Sequence, residues 1–327
     1  MWKITIKRFA FAAGAAALVQ AGIAGAVRAD YPEKPVEFII PFGAGGGADI
    51  EGRLLAKEMG KILGVKFIPI NKVGGGGAVA YTHVKNAMPD GYTVGWNSTS
   101  ILTTTNIGNV PFKHDALDHI GRVEWQPMPF AVKASARWKT FKDFVADCKS
   151  KPGALKVSNS GTGSATHLAA LALMGAAGCE VTHLPVGIKR RNASVLSGEA
   201  DAMIAPLTGA VRLTKAGKLR LLTVPTANRN AVIPDVPTAK ELGHDAVLDL
   251  FRGLSVAKGT PSAIKTKLAN AMTKAAKSKA FMALAKQKGF TVDPMPVARF
   301  EKLLRMEDSK VKGIMQRAGL YQAKAKK

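Results

Sequence analysis

The chain has 327 residues, of which 47 are Lys or Arg and 23 are Asp or Glu, so its formal net charge is +24. A field of that sign favours small anionic partners, whereas the dispersed basic residues accompany no helix-turn-helix, zinc-finger spacing or aromatic-basic platform, which argues against nucleic acid as a partner. The two cysteines, Cys148 and Cys179, exclude a disulfide-dense scaffold and leave one optional bridge that the sequence does not favour.

The amino terminus has the layout of a cleavable export signal. Basic residues at positions 3, 7 and 8 precede an apolar, alanine-rich run over residues 9–27, and small residues follow before Asp30. We therefore predict a signal peptide over residues 1–29 and a mature protein in the periplasm. The alternative, a single membrane anchor, needs about twenty strongly apolar residues, and this run is mostly Ala and Gly. The remaining roughly three hundred residues favour two domains.

Three times along the chain, a strand-like run is followed by a glycine-rich loop and a helical pattern. The loops cover residues 42–48, 74–77 and 161–164. Strands that alternate with helices predict an α/β fold with mostly parallel sheets. Each loop opens a helix whose first backbone N–H groups are unpaired and whose dipole is positive at that end, an arrangement that binds phosphate or carboxylate. The alternative is that the glycines only shape tight turns.

The first loop satisfies the dinucleotide-binding pattern at residues 43–48, but the rest of that motif is missing. The next strand ends in Ile70, Asn71 and Lys72, with no acid to hold a ribose hydroxyl. No Gly-x-Ser-x-Gly elbow and no H-E-x-x-H zinc spacing occurs. We therefore predict no cofactor, no metal and no catalytic residues. The alternative function, a periplasmic enzyme acting on a carboxylate or phosphate ester, stays open because a carboxylate pair can be assembled in space.

Several short segments follow one another in a specific order and spacing. They are YPEKPV at residues 31–36, IPFGAGGGAD at residues 40–49, PDGYT at residues 89–93, GTGS at residues 161–164 and PDVPT at residues 234–238. Together they resemble the substrate-binding receptors of tripartite tricarboxylate transporters, also called Bug-type receptors. The likeness covers essentially the whole predicted mature chain.

The resemblance implies a two-lobed α/β periplasmic binding protein, type II-like, that closes over a small carboxylate and delivers it to membrane permease subunits. It implies a first domain over residues 30–124 and 254–327 and a second domain over residues 125–253. The hinge crossings are expected near residues 125–130 and 251–253. We expect a monomer that is not an enzyme.

The resemblance also indicates the ligand-binding residues. In the family, the first two glycine loops hold a carboxylate through backbone amides, and the third approaches from the other lobe. Asp49 fits either ligand binding or ordering of its loop, and Arg252 is a candidate bidentate carboxylate clamp. The predicted set is Phe42, Ala44, Gly45, Gly46, Asp49, Gly75, Gly76, Gly77, Ala78, Asn97, Thr162, Gly163, Ser164, Asp201 and Arg252.

One segment departs from the family pattern at the position that should select the ligand. Where the family commonly has Tyr-Lys-Gly, this chain has Val186, Gly187 and Ile188, and residues 189–191 are Lys-Arg-Arg. These three basic residues either pair with further carboxylates of the ligand or form an exposed basic turn. The sequence therefore leaves the identity of the carboxylate open.

Overall fold

The computed structural model describes residues 31–322, so the predicted signal peptide lies outside the described residues. In chain order, the strands of these residues are β1 (Val36–Ile40), β2 (Phe67–Asn71), β3 (Thr93–Ser98), β4 (Leu117–Gln126), β5 (Phe130–Lys133), β6 (Lys156–Asn159), β7 (Thr182–Pro185), β8 (Ala202–Ile204), β9 (Leu219–Thr223), β10 (Leu250–Ala257) and β11 (Thr291–Pro296). In chain order, the α-helices are α1 (Gly47–Leu63), α2 (Ala78–Lys85), α3 (Ser100–Asn106), α4 (Phe141–Ser150), α5 (Ala165–Ala177), α6 (Gly187–Ser197), α7 (Leu207–Lys215), α8 (Ser262–Ala276), α9 (Lys279–Lys288) and α10 (Val297–Arg317).

Local sequence signals account for where several helices begin and end. Thr140 and Asp143 form a reciprocal capping box at the start of α4, and Ser164 caps α5 by accepting from the His167 amide. Helix α1 ends at Gly64, which adopts a left-handed conformation with φ of 73° and donates its amide to the Gly60 carbonyl. Over residues 31–322, no helix combines the length and the apolar composition that a bilayer crossing requires.

The first lobe is built on a six-stranded sheet in the order β11-β4-β10-β3-β1-β2. Helices cover both of its faces, so its central strands are buried on both sides. In β1, Phe38 and Ile40 pack into the core beneath α1 and α8, while Ile39 packs into the core on the other face beside α2. This alternation follows from the two-residue period of a strand.

The second lobe is built on a five-stranded sheet in the order β7-β6-β8-β5-β9. One of its faces shares a continuous apolar cluster with the first lobe, since α10 contacts both α3 and α5. The other face holds a smaller core of its own around Met203, Leu207 and Val224. The two lobes are thus joined by packed side chains as well as by the chain.

The two-lobed α/β architecture is confirmed, but the expectation of mostly parallel sheets is corrected. Four strand pairings are parallel and five are antiparallel. Every antiparallel pairing contains β4, β5 or β10, the strands that flank the passages between lobes. The strands of the glycine-loop units account for the parallel pairings of each sheet, and not for the antiparallel ones.

The chain passes between the lobes twice. It leaves the first sheet after Gln126 and enters the second at Phe130, and it returns through residues 224–249 to enter the first sheet at Leu250. Residues 251–253, where the sequence places the second hinge crossing, lie inside β10 of the first sheet.

The cysteines form a disulfide, which corrects the sequence expectation. Cys148 in α4 is bonded to Cys179, which directly follows the left-handed Gly178 at the end of α5, and their Cα atoms are 5.8 Å apart. Both residues are buried in the apolar cluster between the two helices. The pairing depends on how α4 and α5 pack, which spacing along the chain does not indicate.

Candidate ligand-binding site

A cavity lies between the two lobes, at the carboxyl ends of parallel strands. Four of its lining residues follow the ends of strands by one or two positions. They are Phe42 after β1, Ser100 after β3, Ser160 after β6 and Pro206 after β8. Its volume is about 340 Å³, counting the part open to solvent. Open α/β sheets bind ligands in this position because the loops after neighbouring parallel strands meet there.

The amino terminus of α1 forms one wall of the cavity. Gly47 and Ala48 line it, while the amides of Asp49 and Ile50 both donate to the Gly46 carbonyl at 3.0 Å. Within residues 31–322, the Gly47 and Ala48 amides have no hydrogen-bond partner. Unpaired amides at the positive end of a 17-residue helix favour an anionic group.

The Asp49 carboxylate is occupied by its own loop. Its Oδ2 accepts from the Gly45 amide at 3.0 Å, and its Oδ1 accepts from Arg53 Nε at 2.8 Å and from Asn71 Nδ2 at 2.9 Å. Asn71 Nδ2 also donates to the Phe42 carbonyl at 2.7 Å. Of the two roles open for Asp49, these bonds favour ordering of the loop.

The amino terminus of α5 forms the opposite wall. Ser164, Ala165 and Thr166 line the cavity, and the Ala165 amide donates across the cleft to Ser100 Oγ at 3.3 Å. The Ser164 hydroxyl accepts from the backbone amide of His167, not from its ring. This is a helix cap and not a nucleophile paired with a base. Burial, followed by the effect of His183, lowers the pKa of His167 to about 4.

The glycine loops of the two lobes touch directly beside the cavity. A Cβ on Gly76 would lie 2.6 Å from the Gly163 carbonyl carbon and 2.7 Å from the Thr162 oxygen. Asn109 Nδ2 donates to the Gly75 carbonyl at 2.8 Å and to the Thr162 carbonyl at 3.1 Å, so one side chain bridges both loops. The second glycine loop therefore lies at the contact between the lobes.

The basic cluster at residues 189–191 is divided. Lys189 and Arg190 are exposed, and Arg190 pairs with Glu199 at 2.5 Å. Arg191 is only 2% exposed and lines the cavity, with Nη1 donating to Ser160 Oγ at 2.6 Å. In the described part of the chain, its Nε has no partner and no carboxylate pairs with it. Burial lowers the pKa of Arg191 to about 10, so it stays charged at neutral pH.

Arg252 also lines the cavity, but its charge is already matched. Its Nε donates to Glu51 and lies 3.5 Å from Glu124 Oε1, and all three side chains are essentially buried. Gln126 Nε2 donates to Glu51 Oε1 at 3.0 Å and to Glu124 Oε1 at 3.1 Å. Burial, reinforced by the neighbouring Glu51 carboxylate, raises the pKa of Glu124 well above its usual range.

Three of the predicted site residues line the cavity, namely Phe42, Ser164 and Arg252. Gly46 is buried next to it against Ile188. The other loop residues lie elsewhere. Ala44, Gly45 and Gly75 are exposed, Gly77 caps α2, and Ala78 begins it. Gly76, Thr162 and Gly163 form the contact between the lobes.

Two further residues of the predicted set lie away from the cavity and bond to other parts of the protein. Asn97 is fully buried in β3 and donates to Ser255 of β10. Asp201 precedes β8 and accepts from the Lys156 amide at 2.8 Å, which places it at the amino end of the second sheet. The cavity is at the opposite, carboxyl end of that sheet.

The remaining lining residues were absent from the predicted set. They are Gly47, Ala48, Ser100, Ser160, Ala165, Thr166, Ile188, Arg191, Pro206 and Leu250. Several of them follow the ends of strands, and the topology of parallel sheets predicts ligand-binding residues at that position. Arg191 is spaced three residues after Ile188 and four before Val195, so helical periodicity places it on the apolar face of α6.

Among residues 31–322, no group of His, Cys, Asp and Glu side chains is arranged to hold a metal ion. The polar groups that face the cavity are backbone amides, hydroxyls and two guanidinium groups. This set donates hydrogen bonds and positive charge, which favours binding of an anion.

Comparisons with known proteins agree with this geometry. The model of the tripartite tricarboxylate transporter family receptor matches residues 52–320. A UPF0065 protein from the gbd 5' region of Cupriavidus necator is 31% identical over 325 residues, which cover 97% of this chain and 98% of that protein.

Two solved structures are similar to this chain in both sequence and fold. A TctC solute-binding protein from Polaromonas is 31% identical, with a TM-score of 0.67 over 88% of this chain and 99% of that one. MatC from Rhodopseudomonas palustris, solved with bound malate, is 25% identical, with a TM-score of 0.82 over 87% of this chain and 99% of that one. The resemblance seen in the sequence is confirmed, and the chain belongs to the tripartite tricarboxylate transporter receptor family of solute-binding proteins.

Proposed function

We propose that this protein is a periplasmic receptor that captures a small carboxylate by lobe closure and delivers it to membrane permease subunits. The observation that carries the proposal is the cavity between the lobes. It joins the unpaired amides of α1, from the first lobe, to the α5 amino terminus and the buried Arg191 of the second. The malate bound by the structurally similar MatC supports the ligand class.

Closure follows from contacts that only the closed form provides. A carboxylate at the Gly47 and Ala48 amides would also reach donors of the second lobe, so the ligand binds the closed form more tightly and shifts the population toward it. Residues 127–129 and 224–249, which pass between the lobes, would serve as the hinge. We place the two rigid bodies on either side of these passages.

We include the partners and the location in the same proposal. The predicted export signal would bring the mature chain to the periplasm, where the closed, ligand-bound monomer would dock on its permease. The alternative, a periplasmic enzyme, requires turnover of the bound acid. Ser164, which lines the cavity, caps α5 by accepting from the His167 backbone amide, and the His167 ring accepts from the Gly163 amide.

A thermal-shift screen tests the proposal. Mature protein starting at Asp30, refolded to remove carried-over ligand, is heated with mono-, di- and tricarboxylates, with chloride and sulfate at matched ionic strength as controls. A ligand that binds only the folded chain raises the melting temperature with the logarithm of its concentration over Kd.

The outcomes separate the alternatives. A shift from one acid, with that acid unchanged by NMR after overnight incubation, supports the receptor. Consumption of the acid favours the enzyme. No shift from any acid with folded protein overturns the proposal.

A further inference from the structure

We propose that Arg191 binds a carboxylate of the ligand directly, across the cleft from the α1 amino terminus, and so selects for that charged group. This inference rests on the proposed function and adds to it the residue that recognises the charge.

The geometry places donors of both lobes around one point. A Cβ built on Gly209, in α7, would lie 3.5 Å from Arg191 Nη2 and 3.9 Å from the Gly47 amide nitrogen. Arg191 comes from α6 of the second lobe, whereas Gly47 begins α1 of the first. The two donors therefore lie close to each other in the cavity, and a carboxylate bound between them would accept one hydrogen bond from each lobe and lose both when the lobes separate.

The charge of Arg191 has no counterpart in the described protein. Arg252, in the same cavity, is matched by Glu51 and Glu124, but no carboxylate of residues 31–322 pairs with Arg191. An unpaired buried charge destabilises a fold. A ligand carboxylate would remove that cost, and the stabilisation would appear only in the complex.

The side chain is also held ready for the ligand. Nη1 donates to Ser160 Oγ at 2.6 Å, and the backbone carbonyl of Arg191 accepts from Ser158 Oγ at 3.2 Å. Ser160 itself lines the cavity. A preorganised guanidinium loses little side-chain freedom when the ligand binds, which favours affinity.

The test compares four variants in the refolded, ligand-free protein and with the panel acid that gives the wild-type protein its largest melting shift. Arg191→Met removes the charge at similar length, and Arg191→Lys keeps a charge without the fork of donors. Gly209→Ala puts a methyl group at ordinary contact distance between Arg191 and Gly47, at a helical position without backbone strain. Lys189→Ala, an exposed residue of the same helix, removes one charge as the matched control.

We expect Arg191→Met to weaken calorimetric affinity by roughly 10- to 100-fold, as for loss of a charged hydrogen bond. The affinities of Arg191→Lys and Gly209→Ala should fall between those of wild type and Arg191→Met. The affinity of Lys189→Ala should stay within about twofold of wild type. Without ligand, Arg191→Met should melt no lower than wild type, because it removes an unpaired buried charge. A purely structural role predicts the opposite.

Each other outcome decides the question. If an acid binds wild type and Arg191→Met equally well, Arg191 does not bind the ligand, although the receptor function stands. If Arg191→Met melts well below wild type without ligand, its role is structural. If no acid binds the wild type, the proposed function fails and this inference fails with it.

Discussion

Gly76 of the first lobe and Gly163 of the second meet backbone to backbone. A Cβ on Gly76 would lie 2.6 Å from the Gly163 carbonyl carbon and 2.8 Å from its oxygen. Asn109 bridges the two loops, and Thr103 donates to the Gly163 carbonyl. The glycine at position 76 is therefore required by the approach of the other lobe, in addition to its φ of 70°.

Gly76→Ala is expected to oppose lobe closure. The methyl group clashes only when the lobes touch, so the closed form becomes less populated and the apparent affinity falls, by about tenfold or more. The measurement is ligand affinity by calorimetry together with the radius of gyration by X-ray scattering, with and without ligand. Gly217→Ala is the control, because Gly217 has a similar φ of 66° and its Cβ meets nothing within 4 Å, so this variant has the backbone strain without the clash. Ligand-induced compaction equal to wild type in Gly76→Ala would contradict this account.

The buried acid pair predicts a pH dependence of stability. The folded-state pKa of Glu124 is raised above its usual value of 4.5, first by burial and then by Glu51. The folded chain therefore binds more protons than the unfolded chain above pH 4.5, and this stability is lost as pH rises through the folded pKa. Glu124→Gln removes the titration and keeps an acceptor for Gln126. The unfolding free energy of the variant should rise relative to wild type as pH increases.

Urea unfolding of both proteins from pH 5 to 9 checks this linkage. His119 and His167, whose pKa values burial lowers to about 4, titrate in both proteins, so their contribution cancels in the difference. A difference that stays constant across the range would show that Glu124 is ionised in the folded chain at neutral pH.

The Cys148–Cys179 disulfide closes a segment with a sequence separation of 31. Such a loop restricts the unfolded chain, and the entropy model gives about 3–4 kcal/mol of stability. Cys148→Ala with Cys179→Ala should lower the unfolding free energy by roughly that amount, and reductant should lower it in wild type but not in the variant. An unfolding curve of the wild type that reductant leaves unchanged would mean that the bond does not form.

Local patterns in the sequence predict much of this molecule. The strand, glycine loop and helix units at β1 and α1 and at β6 and α5 were recognisable because periodicity, caps and glycines act over a few residues. The amino termini of α1 and α5, which these units predict, both line the cavity between the lobes. The antiparallel pairings of β4, β5 and β10 were not predicted because they depend on how the chain returns between lobes.

Individual site residues were harder to predict because their partners are distant in sequence. From the sequence alone, Arg252 was a candidate to bind a ligand carboxylate. The fold places Glu51, which precedes it by 201 residues, beside it, and Arg252 pairs with that residue. Arg191 reads as part of an exposed basic turn until α6 packs on β6 and buries it. In both cases the net charge of the site, which decides what binds there, is set by tertiary packing.

Gln126, the last residue of β4, connects the buried acids to the second lobe. Its Nε2 donates to Glu51 and Glu124, and its Oε1 accepts from the amide of Thr208 at 3.4 Å and from its hydroxyl at 3.1 Å. Thr208 lies in the first turn of α7.

Gln126→Leu keeps the volume but removes the hydrogen bonds that these buried groups make with Gln126, which should cost about 2–4 kcal/mol of unfolding free energy. Thr208→Val removes only the hydroxyl bond and should cost about 1 kcal/mol or less. Urea unfolding of the two variants side by side tests both sets of bonds. No loss in Thr208→Val would mean that its hydroxyl bond between the lobes adds nothing to stability, and equal losses would mean that the bonds to Glu51 and Glu124 add nothing.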